Sequence, residues 1–199
     1  MLSDYKVVIS DLGGVFIDCL SAFKTCSDLL RLNYDDFMAF FFSDLEAPLS
    51  DGYLTEEEFW KKVEKRFNVK VSGNILTENF HPVVVQPLHT LYKELQKKGL
   101  RVVTGSNNFD GHWGVSLKLF QLDDFDALYA SHLMHCHKPN KEFYEYIVKA
   151  EGVKPEECIF IDDMARNLEV ANQMGMKTFL FNLSDPENMS KLEEFFKAL

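Results

Sequence analysis

Val7-Val8-Ile9-Ser10-Asp11-Leu12-Gly13-Gly14-Val15 is the stretch on which the reading of the fold depends. A short, β-branched apolar run stops at a carboxylate, and two glycines follow at once. Such a run reads as a buried strand, and the glycines let the chain turn tightly where it ends. Asp11 is thereby delivered to the carboxyl edge of a strand. In open α/β sheets, ligands bind in the crevice beyond that edge. A strand-ending Asp also serves simply to start a turn, so the stretch alone fits both readings.

Downstream the pattern is helical. Phe23, Cys26, Leu29 and Leu30 recur at three- and four-residue steps, as one helix face requires. A second helix is read from Tyr34 to Asp44, and its cluster Phe37, Phe40, Phe41, Phe42 reads as the core of this block. Asp51-Gly52 signals a turn, and Thr55-Glu56-Glu57-Glu58 a capping box that opens a helix with Phe59, Val63 and Phe67 on one side. Up to about residue 80 the reading contains helices and no strand.

From His81-Pro82 the period changes. Pro87 opens a helix carrying Leu88, Leu91 and Leu95, and Lys97-Lys98-Gly99 closes it. Strands are expected at Leu100 to Thr104, Asp126 to Ala130, Cys158 to Ile161 and Lys177 to Phe181. Helices are expected between them, from Gly111 to Phe120, Lys141 to Ala150 and Ala165 to Met174. A last helix is placed after Asp185 as its cap, with Pro186 as its first residue. This alternation implies an α/β fold, a doubly wound parallel sheet with right-handed crossovers. Residues 1–18 and 86–199 would form that Rossmann-like core, and 19–85 an inserted helical cap able to fold back over the carboxyl edge.

The 199 residues, 46% of them hydrophobic, suffice for one core plus a smaller insertion. Eighteen Phe point to well-filled helix–sheet interfaces or an apolar pocket. A formal charge of −10 argues against nucleic acid, which is bound through clustered Lys and Arg. It leaves small phosphate esters open, since a metal ion and a few donors can hold them. The sequence has no membrane-length apolar run and no basic segment followed by an apolar core at the N-terminus. With Cys19, Cys26, Cys136 and Cys158 scattered, the expectation is a reduced cytoplasmic protein without membrane partners. The sequence leaves the oligomeric state open.

Four predicted strands bring polar residues to one rim: Asp11 from the first, Ser106 and Asn107 from the second, Lys138 from the loop after the third, Asp162 and Asp163 from the fourth. Singly, each is an ordinary turn or cap residue. Jointly, three carboxylates, a lysine and a hydroxyl converging on one edge call for a metal ion or an anionic ligand to organise them.

These motifs resemble those of the haloacid dehalogenase-like hydrolase superfamily, which includes many small-molecule phosphatases. The resemblance covers about residues 5–17 and 86–182. Its motifs run in order through Asp11-Leu12-Gly13-Gly14-Val15, Ser106 with Asn107, Lys138-Pro139, and Ile161-Asp162-Asp163 with Asn167, Ala171 and Gly175 beyond. The insertion sits where the helical cap occurs in the subgroup containing dehalogenases, epoxide-hydrolase N-terminal domains and several sugar phosphatases. By that resemblance Asp11 is a nucleophile that forms an aspartyl-phosphate, and a small, sugar-phosphate-like ester is the substrate. Mg²⁺ would lie between Asp11, the Gly13 carbonyl and the acids Asp162 and Asp163, with Asp162 favoured because it directly ends the strand. Lys138 would keep Asp11 ionised and neutralise the transferring group. Ser106 and backbone N–H groups near Asn107 and Gly13-Gly14 would hold the phosphoryl oxygens.

One position departs from the family pattern. Phosphatases of this group commonly carry a second Asp two residues after the nucleophile, and here that residue is Gly13. Losing an acid/base costs about 10²–10⁴ in rate, or roughly 3–5 kcal/mol. Asp18 and cap residues are the candidates to replace it. Two alternatives stay open: a haloacid-type dehalogenase, which needs no proton donor for halide departure, and a catalytically weak phosphate- or metal-binding protein. Family dehalogenases carry an aromatic residue at the Gly13 position, which places that alternative lower. His132, His135, Cys136 and His137 match no zinc spacing and are read as a loop near the site. Arg31 and Arg166 read either as contacts to a substrate anion or as surface charge, and His112 and Trp113 as either pocket or core.

Overall fold

A computed structural model describes residues 1–19, 21–119 and 124–199. In chain order the first part holds β1 (Val7–Ser10), β2 (Ile17–Asp18), α1 (Ser21–Leu29) and α2 (Tyr34–Phe40). A π turn over Phe41–Leu45 leads to α3 (Glu46–Ser50), α4 (Glu56–Phe67), α5 (Ile75–Glu78), β3 (Val83–Val84) and α6 (Gln86–Lys97). Then come β4 (Arg101–Thr104), α7 (Asp110–Ser116), α8 (Ser131–Met134), α9 (Lys141–Glu151), β5 (Cys158–Asp162), α10 (Ala165–Gln173), β6 (Lys177–Leu180) and α11 (Asn188–Ala198).

Four strands form a parallel sheet in the order β4-β1-β5-β6, as the doubly wound reading expected. All four residues of β1 are buried, which is why its sequence is continuously apolar rather than alternating. Successive side chains point to opposite faces of the sheet. Val8 joins Leu88, Tyr92, Leu95 and Leu192 of α6 and α11 in one core cluster. Val7 and Ile9 join Phe143, Tyr144, Ile147 and Leu168 of α9 and α10 in the other. Helices thus cover both faces, and the loops after β1, β4 and β5 meet on one rim.

Several expectations need correction. The strand expected from Asp126 to Ala130 is absent as a continuous strand and survives only as isolated bridges, Val103 to Ala127 and Ser106 to Ala130. The Thr104 hydroxyl is the reason: it accepts from the Tyr129 N–H at 2.7 Å and donates to the Tyr129 carbonyl at 3.1 Å, interrupting the ladder. The helix expected from Gly111 to Phe120 runs only Asp110–Ser116, and Phe120 lies outside the described residues. The helical block is entered and left through an antiparallel ribbon, β2 with β3, which the sequence reading missed because two-residue strands have no period. Leu29, expected on the buried face of α1, ends that helix 60% exposed. The last helix begins at Asn188 rather than at Pro186, because Asp185 closes a tight turn, accepting the Glu187 N–H on its side chain at 2.9 Å.

Candidate active site

The Ser10 hydroxyl, itself accepting from the buried Tyr92 hydroxyl at 2.7 Å, donates to the Asp11 carbonyl at 2.7 Å and fixes the end of β1. The Asp11 side chain is held by its neighbour: Oδ1 accepts the Leu12 N–H at 2.7 Å. Lys138, 1% exposed, places Nζ 2.8 Å from Asp11 Oδ2 and 2.7 Å from Asp162 Oδ2. Its ammonium lies over two rings, with Nζ 5.8 Å and 5.7 Å from the centroids of Phe143 and Phe160. The other Asp162 oxygen accepts from the Met164 N–H and from Asn167 Nδ2, both at 2.8 Å. Asp163, half-buried, completes a trio: Asp11, Asp162 and Asp163 each offer an oxygen within 4.8 Å of the others.

The electrostatics follow from this crowding. Burial lifts the Asp11 carboxyl to about 7; Lys138 opposes the rise, and Asp162 and Asp163 reinforce it. Asp163 is raised for the same reasons, burial first and then the neighbouring Asp162. Burial alone would lower the Lys138 ammonium, but Asp11 and Asp162 outweigh it and hold its pKa above the usual value. One lysine facing three carboxylates leaves a buried surplus of negative charge. That surplus, on hard oxygen donors, suits a divalent cation such as Mg²⁺.

The remaining predicted residues lie around this trio. Gly14 has φ +77°, in the left-handed region, and a Cβ there would fall against the Asp163 carboxylate. Only glycine meets both demands. Gly13 has no such backbone requirement; a Cβ would meet one atom within 4 Å, Cys19 Sγ at 3.2 Å. Cys19 therefore stands beside the position where the second Asp was expected, and burial, then the Asp11 charge, push its thiol up to about 12. Ser106, 2% exposed, follows β4 on the same rim. At Asn107 the backbone N–H is the group expected near the phosphate; the side chain is engaged with Lys138, Nδ2 donating to the Lys138 carbonyl at 2.9 Å and Oδ1 accepting the Lys138 N–H at 2.8 Å. Asn107 positions the lysine.

The further candidates separate clearly. Asp18 is exposed on β2, and Arg31 is exposed on the surface. Arg166 pairs with Glu46 at 2.6 Å, joining α10 to α3, and lies over the Phe42 ring. His137 Nδ1 lies 2.8 Å from Asp51 Oδ1, and His135 Nδ1 2.9 Å from the Asp51 carbonyl. These two histidines bind the turn after α3. Among the described residues no His/Cys group gathers like the three aspartates. His112 is held by Phe80, stacked at 3.7 Å, and by the Leu76 carbonyl, and Trp113 is core.

Residues 35–181 match the family model for haloacid dehalogenase-like hydrolases. The chain belongs to this hydrolase family. Within the family, it is 23% identical over 196 residues to D-ribitol-5-phosphate phosphatase of Bacteroides thetaiotaomicron, covering 92% of both chains. It is 24% identical to sesquiterpene phosphatase astK of Aspergillus oryzae, covering 88% of this chain and 89% of that one. Among solved structures, a haloacid dehalogenase family enzyme of B. thetaiotaomicron superposes with a TM-score of 0.73 at 25% identity, over 91% of this chain and 96% of that one. That structure is an aspartate-to-alanine variant in complex with magnesium and inorganic phosphate.

The features of this family member that sequence reasoning missed are Cys19 beside Gly13, the Asn107 brace on Lys138, and a cavity next to Asn107 walled by Phe23, Phe41, Leu49 and Phe109. None carries a local signal, because each depends on residues distant in sequence. A groove of about 840 Å³ between α9 and α10 is lined by Pro139, Lys141 and Met174 but by none of the three aspartates.

Proposed function

We propose that the chain is a Mg²⁺-dependent phosphatase that hydrolyses a small phosphate monoester through an aspartyl-phosphate on Asp11. The observation that carries this reading is the salt-bridged arrangement of Asp11, Lys138 and Asp162 with Asp163 alongside. The phosphatase names of two relatives that span nearly the whole chain support it. Residues 1–18 and 86–199 are the catalytic core in this reading, and 19–85 the cap.

Asp11, Asp162, Asp163 and the Gly13 carbonyl would hold the cation, which when bound supplies charge neutralisation for the phosphoryl group. Asp11 attacks phosphorus, the bond to the ester oxygen breaks, and that oxygen takes up a proton. Water then cleaves the aspartyl-phosphate, releasing inorganic phosphate and regenerating Asp11. Lys138, held by Asn107 and by two carboxylates, favours the nucleophilic ionised form of Asp11 against the burial that raises its pKa, and offsets charge on the transferring group. Ser106 and the backbone N–H groups of Gly13 and Asn107 bind the phosphoryl oxygens; the Gly14 N–H, expected among them, donates instead to the Ile17 carbonyl at 2.9 Å.

No carboxylic acid stands at Gly13, so esters with good leaving groups turn over best. The test is hydrolysis of p-nitrophenyl phosphate with Mg²⁺, with and without EDTA, beside Asp11→Asn. Turnover lost to both chelation and substitution is the expected result. Turnover that survives chelation or Asp11→Asn overturns the Mg²⁺-dependent, Asp11-based mechanism, and no turnover at all on a broad phosphate panel overturns the reading in favour of a binding protein.

A further inference from the structure

The cavity next to Asn107 has a volume of about 180 Å³. That is small beside the roughly 300–1,000 Å³ of ordinary ligand pockets. It is lined on one side by Asn107, Asn108 and Phe109, from the loop that follows Ser106, and on the other by residues of the helical block. The cavity thus borders the loop at which a phosphoryl group on Asp11 would sit, on the side towards which the organic part of an ester would extend.

Phe23, Phe41 and Leu49 form its wall on the side of the helical block, and Phe109 on the core side. Phe23 and Phe41 pack against each other at 4.7 Å. The polar groups around the cavity are largely engaged with the protein. Asn107 binds the Lys138 backbone through both side-chain atoms. Asn108 Oδ1 accepts the Phe109 N–H at 2.9 Å, and Glu46 pairs with Arg166. His112 shares its Nε2–H with the Leu76 carbonyl at 3.2 Å, and burial pushes its pKa down to about 4, so it stays neutral. The lining includes no Lys or Arg, and its one carboxylate is Glu46.

Resting on the phosphatase reading, we propose that the ester handled here carries a small, uncharged, largely apolar alcohol of benzyl or short prenyl type, seated against Phe23, Phe41, Leu49 and Phe109. A polyol would bring several hydroxyls, each both donor and acceptor, and the Ser50 hydroxyl, the second nitrogen of His112, Asn108 Nδ2 and a Glu46 carboxylate already paired with Arg166 cannot match them all. Each buried, unmatched hydroxyl counts against binding. A second anionic group would enter beside Glu46 with no cation lining the cavity.

The experiment compares kcat/KM for benzyl phosphate, dimethylallyl monophosphate and D-ribitol 5-phosphate with Mg²⁺, using acetyl phosphate as a substrate too small to report on the cavity. The polyol is intrinsically the better leaving group, so a preference for the apolar esters reports the pocket rather than the chemistry. The two apolar esters are expected to exceed ribitol 5-phosphate by about tenfold or more, the scale on which apolar pockets discriminate. Leu49→Asn, checked for folding by circular dichroism, should narrow that ratio. Asp11-dependent hydrolysis of acetyl phosphate, with ribitol 5-phosphate equal to or better than benzyl phosphate, overturns the substrate class and leaves the phosphatase intact. Absence of Asp11-dependent turnover on all four compounds overturns both.

Discussion

Gly13 and Gly14 are adjacent and alike in sequence, yet the structure asks different things of them. Gly14 is locked by its left-handed φ of +77° and by the Asp163 carboxylate, so Gly14→Ala must move the acid it touches. Its kcat should fall at least tenfold, with the effect read in steady-state kinetics rather than in expression level. Gly13 can carry a side chain if Cys19 Sγ, 3.2 Å from a Cβ there, gives way. Gly13→Asp combined with Cys19→Ala installs the carboxylic acid that the phosphatase pattern expects. On alkyl phosphates with poor leaving groups, kcat should rise by about 10²-fold, the lower end of what general acid/base catalysis supplies. The gain should be smaller for p-nitrophenyl phosphate, and smaller for Gly13→Asp alone. No gain on alkyl esters would show that this position does not face the leaving oxygen. That Gly13 lacks the acid is legible in the sequence; that a thiol stands beside the gap is not, because Cys19 returns to it only through the turn into β2.

At the scale of elements, α4 shows how far a local signal reaches. The capping box was legible, and Thr55 and Glu58 form it, the Thr55 N–H donating to Glu58 at 2.9 Å. Glu56, one residue into the helix, read as another first-turn acid. It turns inward instead and is 9% exposed. One oxygen accepts from Trp60 Nε1 at 3.1 Å, the Leu76 N–H at 2.9 Å and the Thr77 N–H at 3.1 Å, and the other accepts from the Thr77 hydroxyl. It therefore caps α5 from outside and ties two helices together. Glu56→Ala strands those donors and should destabilise the protein by about 2–3 kcal/mol in urea unfolding. Glu57→Ala, which removes an exposed i,i+4 pair with Lys61, should stay within about 0.5 kcal/mol. Equal effects would mean that the inward bonds of Glu56 contribute nothing net.

For the whole molecule, the seam between helical block and sheet is the feature that matters most. His112 lies in it, on α7, stacked on Phe80 and bonded to the Leu76 carbonyl. Burial holds its pKa at about 4, below the ordinary 6.5. The unfolded chain therefore binds this proton more readily than the folded one between those values. The stability from a neutral His112 is complete above about pH 6.5 and is lost as pH falls towards 4, in total about 3 kcal/mol at 1.36 kcal/mol per pKa unit. His112→Gln should flatten unfolding free energy against pH across that window; an unchanged slope would place the acid sensitivity elsewhere. The sequence by itself determined the parallel sheet, its alternation with helices, and the residues that reach one rim, because strand burial, turn chemistry and helix caps act over a few neighbouring residues. Only the tertiary structure decided that Asn107 braces Lys138, that Cys19 abuts Gly13, that Thr104 breaks the ladder beyond β4, and that aromatic rings wall the cavity. Those contacts join segments tens of residues apart, and which side chains meet there depends on how whole elements pack, a quantity no local pattern encodes.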